Sequence, residues 1–251
     1  NRICTDIENC AGDTSIALSM ISDDGFYMEM KKDYAPEMVT AFIRLNGATV
    51  GCVANRSEVY TDGEKTATYD AALTAAGCEK AAAFVNFCNA FEIPVLTLVN
   101  VDGYKNCKCN EKKIAKAAAR LTYAFANADV PKVTVVVGKA NGTAGLTMNS
   151  KSIGSDIVYA WKNAKIGVME AAPAVKIMYA DEIAKADNAA ALINEKAAQY
   201  NEMQASALAA AKRGYVDDII EASETRQRVV AAFEMLFTKR EDRPSKKHGT
   251  I

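Results

Sequence analysis

The chain has 251 residues, of which 50% are hydrophobic and 24% are charged, a balance typical of a folded globular protein. Because 30 Lys and Arg residues offset 31 Asp and Glu residues, the charge balance does not favour a dedicated nucleic-acid binder. The apolar runs are far too short for a membrane span, and the single histidine, His248, argues against catalytic units that depend on imidazole.

Residues 1–25 show no clear periodicity and predict a lead-in that is irregular or briefly helical. Two apolar, β-rich runs follow, Val39–Leu45 and Ala48–Ala54, separated by an Asn-Gly dipeptide at 46–47. Asn-Gly provides the two positive φ angles of a type I′ turn, so this segment predicts a β-hairpin. Residues 56–72 are polar and predict a loop.

Two strand–helix alternations come next. A helix is predicted over Ala75–Phe91, and Pro94 then precedes a buried strand over Val95–Val101. A second helix is predicted over Glu111–Asn127 and a second strand over Val133–Val137. This order predicts parallel strand pairing with right-handed crossovers. The apolar face of the first helix comprises Ala81, Phe84, Val85, Cys88 and Phe91.

The third quarter of the chain continues the alternation. Gly138–Gly145 predicts a turn, and Leu146–Ser150 predicts the start of a short helix. Asp156–Tyr159 and Lys165–Met169 predict further strands, and the Ala-rich segment Asp187–Lys212 predicts a helix.

The last part predicts a helix cap, a short strand and a final helix. Arg213-Gly214 is typical of a helix C-terminus, and Tyr215–Ile220 predicts a short β segment. Ser223 is predicted to cap the final helix, and residues 240–251 form a charged tail. No shift in composition divides the chain, so we predict one domain over residues 1–251. The apolar face of the final helix comprises Val229, Val230, Phe233, Leu236 and Phe237.

Two strand ends are rich in exposed backbone: Asp102-Gly103-Tyr104, and the glycine-containing segment Gly138–Gly145. In an open α/β sheet, ligands bind beyond the carboxyl ends of the strands, and glycines let backbone N–H groups approach them closely. Such amides can form an oxyanion hole. The alternative is that both segments are simply tight turns.

Sequence motifs for nucleotide binding and metal binding are absent or weak. The sequence contains neither G-x-x-x-x-G-K-[ST] nor G-x-G-x-x-G, and Gly142–Gly145 matches a KH clamp by letters only. Seven scattered cysteines predict reduced thiols in a cytoplasm. Cys107 and Cys109 form a C-x-C pair, which favours a polar loop carrying two thiols over a metal site, and no metal is predicted. Because the chain begins at Asn1, we expect it to be a piece of a longer protein.

Several short segments occur in a distinctive order. They are Met38–Gly47, Val50–Asn55, Phe84–Pro94, Leu121–Val133, Gly138–Ala144, Ser150-Lys151, Tyr159–Trp161, Ala211–Asp217 and Arg243–Gly249. From about Asp24 to Ile251, the chain resembles the biotin-dependent acyl-CoA carboxyltransferases. This family includes subunits of propionyl-CoA and acetyl-CoA carboxylases and of methylmalonyl-CoA and glutaconyl-CoA decarboxylases.

The resemblance implies an α/β, crotonase-like (ClpP/crotonase) fold of repeated ββα units with a mostly parallel sheet. It is a resemblance to the carboxy-terminal, biotin-side half of a carboxyltransferase, so the chain is expected to be inactive without the acyl-CoA-binding half. The implied partners are that amino-terminal half, a biotin carboxyl carrier protein and further copies of the chain. The implied location is the cytoplasm, with a membrane subunit involved only through a decarboxylase complex.

The implied reaction moves a carboxyl group between carboxybiotin, held on a separate carrier domain, and an acyl-CoA substrate. It proceeds through enolates that backbone amides stabilise. Residue by residue, the family pattern assigns the biotin-side donors to the N–H groups of Thr143 and Ala144, with Gly142 shaping the turn.

Three further residues complete the implied site. Gly103 and Tyr104 match a Pro-Gly-Phe position that lines the same cleft, and Leu146 falls where the family borders the acyl group. The chain departs from the family pattern at four places: Asp102, Thr143, the loop Lys105–Glu111, and Glu170 with Pro173.

Two alternatives stay open. One is a non-catalytic, crotonase-like scaffold subunit of a multisubunit decarboxylase or carboxylase, which the altered loop and Thr143 keep open. The other is a CoA hydratase or isomerase of the same fold, which is disfavoured because no paired Glu residues flank the glycine turns.

Overall fold

The structure is a computed structural model that describes residues 3–61, 63–186 and 188–241. In chain order the strands are β1 (Tyr27–Glu29), β2 (Met38–Leu45), β3 (Ala48–Asn55), β4 (Glu58–Thr61), β5 (Glu64–Thr68), β6 (Ala72–Leu73), β7 (Val95–Val101), β8 (Gly103–Tyr104), β9 (Lys132–Asn141), β10 (Ile157–Trp161), β11 (Lys165–Gly167) and β12 (Asp218–Ile220). The helices are α1 (Thr14–Ile21), α2 (Ala75–Ala90), α3 (Lys108–Asn127), α4 (Gly142–Thr147), α5 (Ala171–Met178), α6 (Ala180–Lys185), α7 (Ala189–Met203), α8 (Ala207–Lys212) and α9 (Thr225–Met235).

The main sheet has the order β1-β2-β3-β7-β9-β10-β12, with β11 paired to the far end of β9. β1, β2 and β3 pair antiparallel, whereas β3, β7, β9, β10 and β12 pair parallel, as does β11. The predicted hairpin is confirmed: Asn46 and Gly47, between β2 and β3, have φ angles of 50° and 79°. The prediction of an α/β fold with a mostly parallel sheet is therefore correct.

Apolar side chains cover both faces of the sheet. On β7, Val95 and Val99 contribute to the core on the α2 and α3 side, and Leu96 and Leu98 contribute to the core on the α1 and α9 side. Since successive side chains of a strand point to opposite faces, a continuous apolar run is what a strand buried on both sides requires. The result is a sheet between two helical layers.

The amino-terminal lead-in belongs to this core. Leu18 and Ile21 of α1 are fully buried against the sheet, and the side chain of Asp13 accepts a hydrogen bond from the Ser15 amide at the helix start. The predicted short helix in residues 1–25 is thus confirmed for the part that the structure describes.

Several local predictions are wrong. The polar segment 56–72 is not a loop, because β4 and β5 form an antiparallel hairpin within it. The Asp13 carboxylate accepts the Tyr60 amide of that hairpin at 2.9 Å. Neither face of the hairpin is buried. Its two strands therefore do not need alternating apolar and polar residues, which is the sequence pattern that predicts a strand.

The glycine segment after Val137 is also not a simple turn. β9 extends to Asn141, since its last residues pair with β11, and α4 begins at Gly142 rather than near Leu146. The Ala-rich segment forms two helices, α7 and α8, and Asp187 itself lies outside the described residues. Two further helices, α5 and α6, precede it without having been predicted.

The carboxy-terminal helix differs from its prediction at both ends. Ser223 does not cap α9, because it lies in a 3₁₀ turn over Ala222–Glu224 and the helix begins at Thr225. Phe237, predicted to be buried, is 80% exposed, and Phe91 at the end of α2 is 65% exposed. His248 and the tail segment 242–251 lie outside the described residues.

Within the described residues, no helix combines the length and apolarity that crossing a membrane requires.

The buried Lys80 makes a prediction about stability and pH. Its ammonium group donates to the Ala35 carbonyl at 3.3 Å, and burial, helped by the nearby Arg56 charge, lowers its pKa from 10.5 to about 8. Between these two values the unfolded chain binds the proton more tightly than the folded chain, so raising the pH favours folding through this group. Relative to Lys80→Met, the wild type should gain about 2 kcal/mol of unfolding free energy between roughly pH 7.5 and 10.

Urea denaturation of both proteins at matched pH values measures this difference. Because other titrating groups are common to the two proteins, their contributions cancel in the comparison. A difference that does not change with pH would contradict the assignment of a depressed pKa to Lys80.

Candidate active site

The carboxyl ends of β7 and β9 form an irregular edge of the sheet. Their register shifts between Val99 and Val101, and the side chain of Asn100 fills the gap by accepting the Lys139 amide at 3.1 Å. A Cβ at Gly138 would lie 2.4 Å from the Asn100 side-chain oxygen, so a larger residue there would displace the Asn100 side chain. The end of β9 therefore extends beyond the end of β7, where it pairs with β11.

The turn from β9 into α4 depends on two glycines. Gly142 has a φ of +57°, in the left-handed region that favours glycine, and a Cβ there would lie 3.0 Å from the Val168 carbonyl oxygen. At Gly145 a Cβ would lie 2.7 Å from the carbonyl carbon of Ala140. The two glycines therefore let the start of α4 pack directly against the backbone of β9 at Ala140 and of Val168, which follows β11.

The backbone amides of Thr143 and Ala144 lie just after this turn. The ladder pairing of β9 ends at Asn141, which pairs with Gly167, so these two amides follow the last paired residue. They also fall in the first turn of α4, where amides have no acceptor within the helix. Thr143 is exposed and Ala144 is 1% exposed.

A cavity of about 830 Å³ opens beside this turn. Gly142, Thr143 and Leu146 lie in one wall, and residues of α7 and α8 with the segment after them lie in another. A volume of this size accommodates a small organic ligand. The second wall includes Tyr200, Gln204, Ala210, Arg213 and Tyr215.

Gly103 and Tyr104 support α4 rather than contributing to the described walls of the cavity. They form β8, which pairs with β6, and the Tyr104 hydroxyl lies 3.2 Å from the hydroxyl of Thr147. The Thr147 hydroxyl donates to the Thr143 carbonyl at 2.9 Å. Tyr104 is therefore connected to Thr143 through one intervening side chain.

Three charged side chains form a cluster next to the turn, where Asp102 also contacts Asn141. The Lys139 ammonium group lies 2.8 Å from the Asp102 carboxylate and 2.7 Å from the Glu170 carboxylate. Partial burial alone would lower the pKa of Lys139, but its hydrogen bonds to both carboxylates outweigh burial and raise it. The hydrogen bond from Lys139 lowers the pKa of Glu170.

From the sequence, Asp102 lies at a predicted strand end, and both Asp102 and Glu170 depart from the family pattern. In the structure both contact Lys139, and the side-chain NH2 group of Asn141 also donates to the Asp102 carboxylate at 3.1 Å. The charge of Lys139, opposite to that of Asp102 and Glu170, was the only feature of the sequence that could have suggested this contact. Their spacing along the chain did not show that they meet, because β7, β9 and the start of α5 come together only in the folded sheet.

Among the described residues, no group of three or more His, Cys, Asp or Glu side chains is arranged to hold a metal ion.

Comparisons with known proteins place this chain in a family. The carboxyl transferase domain model matches residues 4–251. The chain belongs to the carboxyl transferase family. It is 40% identical over 240 residues to the methylmalonyl-CoA carboxyltransferase 12S subunit of Propionibacterium freudenreichii subsp. shermanii, covering 95% of this chain and 44% of that protein.

A second relative is the propionyl-CoA carboxylase beta chain of Saccharopolyspora erythraea, with 41% identity over 256 residues, covering 100% of this chain and 45% of the relative. The crystal structure of transcarboxylase 12S, a hexamer with hydrolysed methylmalonyl-coenzyme A bound, superimposes with a TM-score of 0.86 at 42% identity. That comparison covers 94% of this chain and 44% of the 12S chain. The predicted crotonase-like fold is confirmed, and this carboxyl transferase chain spans about half the length of these relatives.

Proposed function

We propose that the chain is the carboxy-terminal, biotin-side half of an acyl-CoA carboxyltransferase. The observation that carries the proposal is the turn at Gly142, which together with Thr143 lines a large cavity at the carboxyl end of β9, whereas the next residue, Ala144, is buried. Backbone amides beside a cavity can donate to a ligand oxygen, and the membership of the chain in the carboxyl transferase family supports this role.

In this role the N–H groups of Thr143 and Ala144 donate hydrogen bonds to the ureido oxygen of biotin. Gly142 sets the direction of these amides, and its positive φ angle supports that role. Hydrogen bonds aimed at an oxygen that gains negative charge stabilise the charged state more than the neutral one, which lowers the barrier to transfer. Bound biotin, when carboxylated, supplies the carboxyl group and the atom that takes the α-proton of the acyl-CoA.

The residues present fit such a ligand. The cavity of about 830 Å³ accommodates the bicyclic ring of biotin, and its wall at Gly142 carries no side chain. The exposed Leu146 offers an apolar contact for an acyl group, and Thr143 keeps its amide although its β-branched side chain narrows the opening. Tyr104, which follows Gly103 in β8, supports the site by contacting α4 through Thr147.

The same proposal implies partners. An amino-terminal half must bind the acyl-CoA, and a separate biotin carboxyl carrier protein must deliver the cofactor. A homo-oligomer is expected because the related 12S subunit is hexameric, and the expected location is the cytoplasm. A membrane subunit would enter only through a decarboxylase complex, as the similarity to a methylmalonyl-CoA decarboxylase subunit alpha of Propionigenium modestum allows.

Reconstitution tests this function. The chain is mixed with the complementary amino-terminal half, and decarboxylation of methylmalonyl-CoA or malonyl-CoA is measured with and without free biotin. We expect biotin-dependent turnover from the mixture and none from either half. Turnover by the chain alone would contradict the half-site proposal.

A folded, associated mixture without biotin-dependent turnover would instead favour the scaffold alternative. The features that keep this alternative open are Thr143 and the segment Lys105–Glu111, which runs into the start of α3 and departs from the family pattern.

A further inference from the structure

Two cysteines come into contact at the start of α3. The sulfurs of Cys107 and Cys109 lie 3.0 Å apart, Cys107 is the residue that precedes the helix, and Cys109 is exposed to solvent. The carboxyltransfer site described above uses neither thiol. Among the other cysteines, Cys4, Cys52, Cys78 and Cys88 are buried and Cys10 is partly buried.

The surroundings of the pair favour a thiolate. Lys105 and Lys108 flank Cys107 in the sequence, and the amides of the first turn of α3 add positive potential. The hydrogen bond from Cys109, followed by that from the Asn110 amide, lowers the pKa of Cys107, whereas the same contact raises the pKa of Cys109. The Cys107 sulfur is therefore suited to act as the attacking nucleophile, and the Cys109 sulfur as the second thiol that resolves the product.

We propose that Cys107 and Cys109 form a dithiol site that low-molecular-weight disulfides, such as oxidised glutathione, convert reversibly to an intramolecular disulfide. The Cys107 thiolate attacks one sulfur of the small disulfide, which breaks its S–S bond, releases one thiolate and leaves a mixed disulfide. Cys109 then loses its proton to solvent and attacks the Cys107 sulfur, releasing the second small thiolate. Both cysteines are oxidised, and one small disulfide is reduced to two thiols.

Closing this bond changes the first turn of α3. The sulfurs must approach from 3.0 Å to about 2.05 Å in a defined dihedral geometry, whereas both the Asn110 and Glu111 amides now donate to the Cys107 carbonyl at 3.0 Å. The ring closed by a C-x-C disulfide is too small to leave this helical turn undisturbed.

Asn110 links the first turn of α3 to two neighbouring segments. Its buried side chain accepts the Ala75 amide at 2.7 Å and donates to the Lys105 carbonyl at 2.7 Å. It thereby joins the dithiol to the start of α2 and to the segment that follows Tyr104. Oxidation should loosen these two hydrogen bonds, so the Ala75 amide reports on the state of the dithiol.

The test uses the full chain and does not depend on its catalytic function. The protein is equilibrated in glutathione buffers of increasing oxidised fraction, quenched in acid, alkylated and analysed by peptide mass spectrometry. We expect a disulfide linking Cys107 and Cys109 that dithiothreitol reverses, with the buried cysteines alkylated only after denaturation. Hydrogen exchange at Ala75 should become at least about tenfold faster in the oxidised protein.

Single substitutions separate the two sulfurs. Cys109→Ser should stop at a glutathione adduct on Cys107, Cys107→Ser should react at least about tenfold more slowly, and Cys10→Ser should behave as wild type. No bond between Cys107 and Cys109 at any glutathione ratio would overturn the proposal. Equal adduct formation at Cys10 and Cys107 would overturn it as well.

Discussion

Replacing Gly145 by alanine is expected to reduce carboxyl transfer by the reconstituted enzyme roughly a hundredfold or more. The added Cβ would lie 2.7 Å from the carbonyl carbon of Ala140 and 3.0 Å from its oxygen, and these are backbone atoms of β9 that cannot rotate away. α4 must therefore move off the strand, and the amides of Thr143 and Ala144 move with it. Displacing an oxyanion donor costs on the order of 3 kcal/mol of activation free energy.

Gly47→Ala is the matched control. Gly47 also has a residue-specific backbone role, with a φ of +79°, but nothing lies within 4 Å of its added Cβ. It should lose about 1 kcal/mol of stability and keep its transfer rate within about twofold. Thermal denaturation shows whether each variant is folded. Wild-type rates from a folded Gly145→Ala protein would show that the position of α4 is not critical.

Thr143→Pro is expected to reduce transfer by two to three orders of magnitude, about the effect of removing one oxyanion donor elsewhere. Proline has no backbone N–H, and it is well tolerated in the first turn of a helix. The residue before it, Gly142, lacks the Cβ with which the proline ring would otherwise clash.

Thr143→Ala removes the same hydroxyl and methyl group but keeps the amide. Its transfer rate should stay within about threefold of wild type, or rise if the Thr143 side chain hinders the ligand. Steady-state rates for the two variants, with circular dichroism to confirm the fold, give the contribution of the amide alone. Equal losses in both would assign the effect to the side chain and contradict the proposed donor.

Features that depend on short stretches of sequence could be predicted. The hairpin at Asn46 and Gly47, the buried strand after Pro94 and the helices α2 and α3 follow from turn residues and apolar periodicity. The sequence also predicted that the turn at Gly142 follows the carboxyl end of a parallel strand, which agrees with the end of β9 at Asn141.

Features that depend on contacts between residues distant in the sequence could not be predicted. Gly138 begins a glycine-containing segment that is typical of a turn. It lies within β9 instead, because Asn100 packs against it and β11 extends the pairing of β9 beyond it. Similarly, the Thr225 hydroxyl accepts the Trp161 indole N–H at 2.9 Å, which places the start of α9 after Ser223 rather than at it.

The charged cluster at the site is a third example. Local patterns identify Lys139, Asp102 and Glu170 as charged residues near strand or helix ends, but their contact is made by three separate elements. A resemblance to relatives made Asp102 and Glu170 look like independent departures. The structure shows that they share one lysine.

Replacing Ala144 by lactic acid tests the central claim most directly, because an ester oxygen then takes the place of a single backbone N–H while every side chain is kept. The same replacement at Ala189, the first residue of α7, is the control for the chemistry of the ester. We predict that the Ala144 ester lowers biotin-dependent transfer roughly a hundredfold, with the Ala189 ester within about twofold of wild type. Full activity from a folded protein carrying the Ala144 ester would contradict the claim that this amide donates to the ligand.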